Sequence, residues 1–438
     1  MSPHEPIEGA RLLADVPARW SRPAQHIAET LQAEGHRAWI VGGCVRDLVL
    51  ERPLGDLDVV SAARPDEIEA LFDRTIAVGK SFGVVIVVVD ETEVEVATFR
   101  LERGYSDRRR PDAIEYANSP LDDARRRDFT CNALYLDPLD GTLLDPTGGI
   151  ADLRRGELRA VGEPRERFRE DGLRILRMAR FLAALDLGPA PGLLEAAREE
   201  SEALEGVSPE RVLNELVKVF GGPRPHVALD ALADGGHADR CLPGWADDPA
   251  AAKLRPRVLE ELGDAPGTVV GLTALLEFAP LEDVRPEEVQ SRTQRAAEQL
   301  RTSRDVRNAV ATTAALRRAH LEKARGPVPT TAEERGALVS YWRLPQRRAA
   351  EQLAFAWARV RGDAAQLARL GGLTERAGVA DAAAPEGERL LRPDDLVRIG
   401  VPKGPQLGVA LVRVENARLG GAFDDRKGAL EWARANLT

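Results

Sequence analysis

The chain has 438 residues, 43% apolar and 30% charged, enough core-forming material for roughly two to four globular domains. A formal charge of -10 excludes indiscriminate polyanion binding, because most of the surface repels nucleic acid. The three cysteines, Cys44, Cys131 and Cys241, exclude a disulfide framework and lack metal-ligand spacing.

In chain order, Met1 to Ala10 is polar and acidic, without the basic and apolar regions of a signal peptide, so a cytoplasmic location is expected. Pro23 to Glu34 and Pro65 to Phe72 have helical spacing. β-Branched runs bounded by Gly, Pro and Asp predict strands at Ala38–Val41, Val59–Ser61, Val84–Val89, Glu93–Phe99 and Leu134–Leu136. The continuous apolar run Val84–Val89 predicts a central strand covered on both faces. From residue 151 onward strands vanish and Ala, Leu, Glu and Arg dominate. Gly and Pro punctuation at 188–191, 221–225, 243–249, 263–267, 326–329 and 385–393 divides this region into helices. The expected fold is α+β: a head with a small mixed β-sheet over 1–150, followed by an all-helical remainder. No apolar run of about 18 residues marks a membrane span.

The chemistry concentrates at Gly42-Gly43-Cys44-Val45-Arg46-Asp47, followed after eight residues by Asp56-Leu57-Asp58. On a strand, residues i and i+2 share a face, so Asp56 and Asp58 set two carboxylates side by side. Such a pair repels itself unless a cation lies between, and an all-oxygen donor set suits Mg²⁺ bound together with substrate phosphates. The paired glycines after the strand leave backbone N–H groups able to approach a triphosphate closely.

Val41 to Val60 resembles the signature of the class II tRNA nucleotidyltransferases and bacterial poly(A) polymerases, within the DNA polymerase beta superfamily. Further motifs follow in the family's order. They are Glu95 to Arg100, Arg126-Arg127-Asp128-Phe129-Thr130 with Asn132, and Asp145-Pro146 with Gly148 to Leu153. Glu170-Asp171-Gly172-Leu173-Arg174 comes next, then Ser208-Pro209-Glu210-Arg211 to Glu215-Leu216. The resemblance covers roughly residues 38 to 220, and implies a head over 1–150, a helical neck with a nucleotide-selecting motif over 151–222, a helical body over 223–330 and a helical tRNA-binding tail over 331–438.

The resemblance implies that Asp56 and Asp58 hold two Mg²⁺ ions that activate an RNA 3′-hydroxyl and steady departing pyrophosphate. A third carboxylate is usual in the superfamily. Glu95 is the candidate, with Glu93 at the same strand parity. Gly42, Gly43, Arg46, Asp47, Arg126, Arg127 and Asn132 are placed near the nucleotide, and Asp128 as an acceptor for its ribose. Glu170 to Leu187 has helical spacing, so Asp171 and Arg174 are expected on one helix face. A carboxylate that only accepts beside a guanidinium that only donates matches the edges of cytosine and adenine and opposes those of guanine and uracil. Gly172 stands where the family often has proline, which predicts a looser first turn.

The family contains CCA-adding, CC-adding, A-adding and poly(A)-adding enzymes. Arg100 to Pro111 resembles the loop kept by enzymes that add the terminal A. Gly79-Lys80-Ser81-Phe82-Gly83 lacks the second basic residue typical of poly(A) polymerases. Asp394 to Arg398, Gly400, Gly404 to Leu411 and Trp432 resemble the tail of tRNA nucleotidyltransferases, with Lys403 and Arg413 as candidate RNA contacts. No histidine forms a His-Asp pair at metal spacing, against an appended phosphohydrolase domain. The expected activity is CCA addition to tRNA 3′ ends from CTP and ATP with Mg²⁺. The alternatives are A-only addition, poly(A) synthesis or, in another class, an inactive RNA-binding relative.

Overall fold

The computed structural model describes residues 7–76, 83–103, 113–247, 249–276 and 285–437. It divides into two compact units, Met1–Gly222 with Val227–Leu242, and Pro223–His226 with Pro243–Thr438.

The first unit runs α1 (Gly9–Ala14), α2 (Ala18–Ala33), β1 (Ala38–Val41), α3 (Gly43–Val49), β2 (Asp58–Ser61), α4 (Pro65–Leu71), β3 (Thr75–Ile76), β4 (Val84–Val89), β5 (Thr92–Thr98), β6 (Arg100–Arg103) and β7 (Ala113–Tyr116). It continues through α5 (Pro120–Arg125), β8 (Tyr135–Leu136), β9 (Leu143–Leu144), α6 (Gly149–Arg155), β10 (Glu157–Leu158), α7 (Pro164–Glu170), α8 (Leu173–Leu185), β11 (Gly188–Pro189), α9 (Leu193–Glu199) and α10 (Pro209–Phe220). A seven-stranded sheet has the order β3-β4-β5-β2-β1-β8-β9. It is mixed, because β2 and β5 pair in parallel while the other neighbours are antiparallel.

The expected strands are present within a residue or two. α2 begins a turn earlier than its expected Pro23 start, since Trp20, Ala24, Ile27 and Leu31 form one buried stripe. Pro23 inside it cannot bond the Arg19 carbonyl, which accepts the Thr92 hydroxyl at 3.4 Å instead. β4 and β5 join through Asp90 and Glu91, both at positive φ (49° and 60°), the backbone that a two-residue hairpin requires.

The two faces of the sheet differ. α2 and α4 pack on one, over Ile40, Val59, Val85 and Val96, all fully buried. On the other, Trp39, Val41, Val60 and Tyr135 form a core with Ala124 of α5 and Val161. β4 is therefore not covered on both faces as expected. Val85 and Val87 are buried while Val84, Ile86 and Val88 remain partly open, because Ile86 stands beside Glu95 on the uncovered part of the sheet. Two small corrections accompany this: β10 and β11 form a short parallel pair after residue 151, and Arg100–Arg103 forms a hairpin strand with β7. The rest of the expected loop to Pro111, and Gly79 to Phe82, lie outside the described residues.

After α11 (Pro225–Asp234) and α12 (Ala238–Cys241), the described part of the second unit is helical: α13 (Pro249–Leu262), α14 (Thr268–Leu276), α15 (Pro286–Gln299), α16 (Arg304–Arg325), α17 (Ala332–Trp342), α18 (Arg347–Val360), α19 (Ala364–Ala383), α20 (Pro393–Arg398), α21 (Pro405–Leu419) and α22 (Arg426–Leu437). One of its cores gathers Ala314, Leu338, Ala354 and Leu370; another gathers Leu396, Val414 and Ala429 near the end of the chain. No described helix is long and apolar enough to cross a membrane.

Candidate active site

The site begins with strand register. Val41 lies opposite Asp58, Asp58 opposite Glu95, and Glu95 opposite Ile86. Residues directly opposite across a ladder project from the same face. Asp58 and Glu95 are therefore neighbours on the open part of the sheet. Asp56 precedes β2 rather than lying within it as expected, but the alternation continues: Asp56 is exposed, Leu57 buried and Asp58 intermediate. Glu93 lies opposite Val88, one repeat beyond the first residue of β2. Register thus separates the two glutamates that strand parity alone left equivalent.

These carboxylates feel one another. Burial pushes the Asp58 carboxyl up from 3.8 to about 6, Asp56 and Glu95 push the same way, and Arg127 only partly opposes them. Among the described residues, no three histidine, cysteine or acidic side chains are arranged to hold a metal ion by themselves. An under-compensated anionic pair without a complete protein cage fits Mg²⁺, which keeps water and phosphate ligands beside one or two carboxylates.

Beside the carboxylates the chain turns from β1 into α3 at Gly42, with φ 81°. A Cβ there would stand in the left-handed region and 3.2 Å from Arg127 Nη1, so glycine answers both constraints. The Gly42 N–H is not available to a phosphate as expected: it donates to the Leu134 carbonyl at 3.1 Å. Gly43 begins the first turn of α3, where backbone donors lack intrahelical acceptors.

The expected arginines are held rigidly. Arg46 donates to Asn132 Oδ1 at 2.6 Å and through a fork to both Asp47 oxygens, at 2.9 and 3.0 Å. Arg126 and Arg127 share the fully buried Asp123, with N–O distances of 2.6 and 2.9 Å. Burial opposes the Asp123 charge, but Arg127, Arg126 and the Tyr135 hydroxyl hold its carboxyl below the usual range. Asp128 accepts from the Phe129 N–H, from Asn132 Nδ2 and from Arg177 Nε, at 2.8, 3.0 and 2.7 Å. Burial raises it; Arg177 and these bonds prevail and bring it to about 2. Both of its oxygens are engaged, so Asp128 ties the head to α8 rather than offering an unencumbered ribose acceptor.

The expected continuous helix from Glu170 is broken. α7 ends at Glu170, Asp171 is extended (φ -149°), and α8 starts at Leu173. Asp171 Oδ1 accepts the Leu173 N–H at 3.0 Å, and Arg211 on α10 grips its two oxygens at 3.2 and 2.7 Å. Arg174, buried, donates to Glu170 at 2.5 Å and to the Arg167 and Arg126 carbonyls at 2.9 and 3.0 Å. Asp171 and Arg174 therefore do not share one helix face as expected: Asp171 lies in the extended break, Arg174 in the first turn of α8, and each has its own partners. Gly172 does not loosen a turn: a Cβ there would meet the Ala203 carbonyl oxygen at 2.2 Å.

Comparison with known proteins places this geometry. Residues 38–159 match the poly(A) polymerase head domain, and residues 186–248 the probable RNA and SrmB-binding site of polymerase A. The CCA-adding enzyme of Geobacillus stearothermophilus is 42% identical over 220 residues, 50% of this chain and 54% of that protein. That of Levilactobacillus brevis is 40% identical over 224 residues, 51% and 56% of the two chains. These matches span about half the length of the relatives. A solved structure of the Bacillus stearothermophilus CCA-adding enzyme in complex with CTP aligns over 96% of this chain and 98% of its own, at 28% identity and TM-score 0.71. The Thermotoga maritima CCA-adding enzyme complexed with tRNA shares the fold over 99% of both chains, at 20% identity and TM-score 0.66.

The chain is thus similar, in its head by sequence and along its length by fold, to the class II tRNA nucleotidyltransferases and poly(A) polymerases. Sequence reasoning passed over Asp123, Arg177 and Arg180. Asp123 was detectable from its spacing, since Asp at i with Arg at i+3 and i+4 shares a helix face. Arg177 and Arg180 were not, because their partners Asp128 and Glu215 lie 49 and 35 residues away. Glu215, buried, accepts Arg180 Nε at 2.6 Å, and Arg46, Arg177 and Arg180 surround the Phe181 ring at 4.1–5.3 Å. In the second unit, Lys403 is exposed beside Gly404. Arg413 is not poised for phosphate as expected: it forms a fork with Glu333 of α17 at 2.8 and 3.2 Å, clamping α21 to that helix.

Proposed function

We propose that the protein is a template-independent tRNA nucleotidyltransferase of the cytoplasm, adding CCA, and at least the terminal A, to tRNA 3′ ends from CTP and ATP. The carrying observation is the in-register pair Asp58–Glu95 on the open sheet face, with Asp56 close enough to raise Asp58. The relatives named CCA-adding enzymes support this choice among the family's activities.

Asp56 and Asp58 would hold Mg²⁺, with Glu95 completing the acidic face. A metal ion held there would supply acidification of the RNA 3′-hydroxyl and a counter-charge for departing pyrophosphate. The residues themselves do the positioning that phosphoryl transfer chiefly requires. Gly42, lacking a Cβ, leaves room for the Arg127 guanidinium at the turn into α3. Arg127, part-buried and held charged by Asp123 and Tyr135, supplies a fixed cation beside Gly42. Asp171 accepts from the amino group of cytosine or adenine, and Arg174 donates to the neighbouring ring nitrogen. An incoming base competes with Arg211 for Asp171 and with Glu170 for Arg174. Guanine and uracil present like groups to this pair, and each polar group left unmatched costs about 1–3 kcal/mol.

The test uses three tRNAs, ending at the discriminator base, at C and at CC, each with CTP, ATP or both, in Mg²⁺. Extension of all three to CCA, followed by arrest, is expected. Extension of the CC-ended tRNA alone would assign A-only addition; continued A incorporation would assign poly(A) synthesis. Absence of pyrophosphate release with every combination would leave an inactive RNA-binding relative.

A further inference from the structure

The break between α7 and α8 packs against another element of the first unit. The 3-10 turn Ser201–Gly206 lays the Ala203 backbone against Gly172, where a Cβ would fall 2.2 Å from the Ala203 oxygen and 2.7 Å from the Leu204 nitrogen. Real Cβ atoms do not approach so closely, and both obstacles are backbone that cannot swing aside. Ala203 and Leu204 are themselves buried. The turn is in turn fixed from behind: Ser201 Oγ and His237 Nδ1 share a hydrogen bond of 2.9 Å, with both residues buried. The His237 ring lies against Gly235, where a Cβ would stand 2.3 Å from Nε2. Its backbone N–H donates to the Leu232 carbonyl at 2.8 Å. Arg169 near the end of α7 pairs with Glu200 at the start of the same turn. Asp171 and Arg174 flank the contact point, so their backbone positions follow from where the turn stands.

We propose that the Ser201–Gly206 turn, pinned by the buried Ser201–His237 hydrogen bond, is the positioning element of nucleotide selection, acting through Ala203 on Gly172 to aim Asp171 and Arg174. Ser201, Ala203 and His237 touch no substrate; they are positioning residues. The inference rests on the reading of Asp171 and Arg174 as the base-selecting pair. It differs from a plain stability role in what it affects. A turn that only supported the fold would lower the active fraction for every nucleotide alike. A turn that sets the selecting pair alters the ratio between nucleotides.

The experiment uses the full chain and compares Gly172→Ala, Ser201→Ala and Asp171→Ala with the unsubstituted protein. The readouts are kcat/KM for CTP against UTP on tRNA ending in C, for ATP against GTP on tRNA ending in CC, and a melting curve. Gly172→Ala should lower both ratios about tenfold or more, mainly through nucleotide KM, while KM for tRNA stays within about twofold. Ser201→Ala, which removes one oxygen, should lower them about threefold in the same direction. If Gly172→Ala does not fold, Ser201→Ala decides alone. Ratios unchanged in the positioning variants but lowered in Asp171→Ala would overturn this inference while sparing the selecting pair. Ratios unchanged in Asp171→Ala would overturn the selecting pair itself, and this inference with it.

Discussion

Asp58→Asn separates stability from activity. Burial, then Asp56, then Glu95 raise the Asp58 carboxyl from 3.8 to about 6 in the folded protein. The unfolded chain releases this proton near its ordinary value, so the folded state carries a penalty that is absent below about pH 4. The penalty grows as pH rises towards 6 and is complete above it. A rise from 3.8 to about 6 corresponds to about 3 kcal/mol at neutral pH. The isosteric amide removes the charge and keeps the shape. In EDTA at pH 8, Asp58→Asn should therefore melt above the unsubstituted protein, by about 6–12 °C for a unit of this size if the whole penalty is relieved. At pH 4 the two should nearly coincide. Addition of Mg²⁺ at pH 8 should raise the melting temperature of the unsubstituted protein more than that of the variant. Nucleotide incorporation, measured in parallel, should fall below about one-thousandth with tRNA affinity retained. Equal or lower melting of Asp58→Asn at pH 8 would refute the electrostatic account of the acidic face. Retention of a tenth of the activity would refute the metal assignment.

Glu95→Gln should reduce incorporation about a hundredfold, whereas Glu93→Gln should stay within about threefold; the order of the two initial rates checks the register argument. Asp123→Asn leaves the part-buried Arg126 and Arg127 without their shared anion and should destabilise the first unit, by less than the about 3–5 kcal/mol of a fully buried pair, read from its urea midpoint. Shortening residues 102–110 should suppress A addition on CC-ended tRNA far more than C addition on C-ended tRNA, measured by product length on a gel.

Much of this protein is local and could be read directly. β-Branched runs placed β1 and β4 to the residue, because strand propensity and turn punctuation act over a few neighbours. Gly42-Gly43 and Asp56-x-Asp58 lie within one short stretch, so their chemistry was legible as a motif, and the ordered motifs after it carried the family resemblance. Tertiary structure decided what depends on distant partners. Strand parity left Glu93 and Glu95 equal until the parallel pairing of β5 with β2 brought Glu95 opposite Asp58. Helical periodicity carried Glu170 to Leu187 as one helix, since periodicity cannot register the Ala203 backbone pressing on Gly172. Arg413 read as an RNA contact until Glu333, 80 residues earlier, proved to hold it. Propensity and spacing reside in neighbouring side chains, whereas register, burial and charge pairing arise only when remote segments close upon one another, at an entropic cost that the sequence pattern does not display.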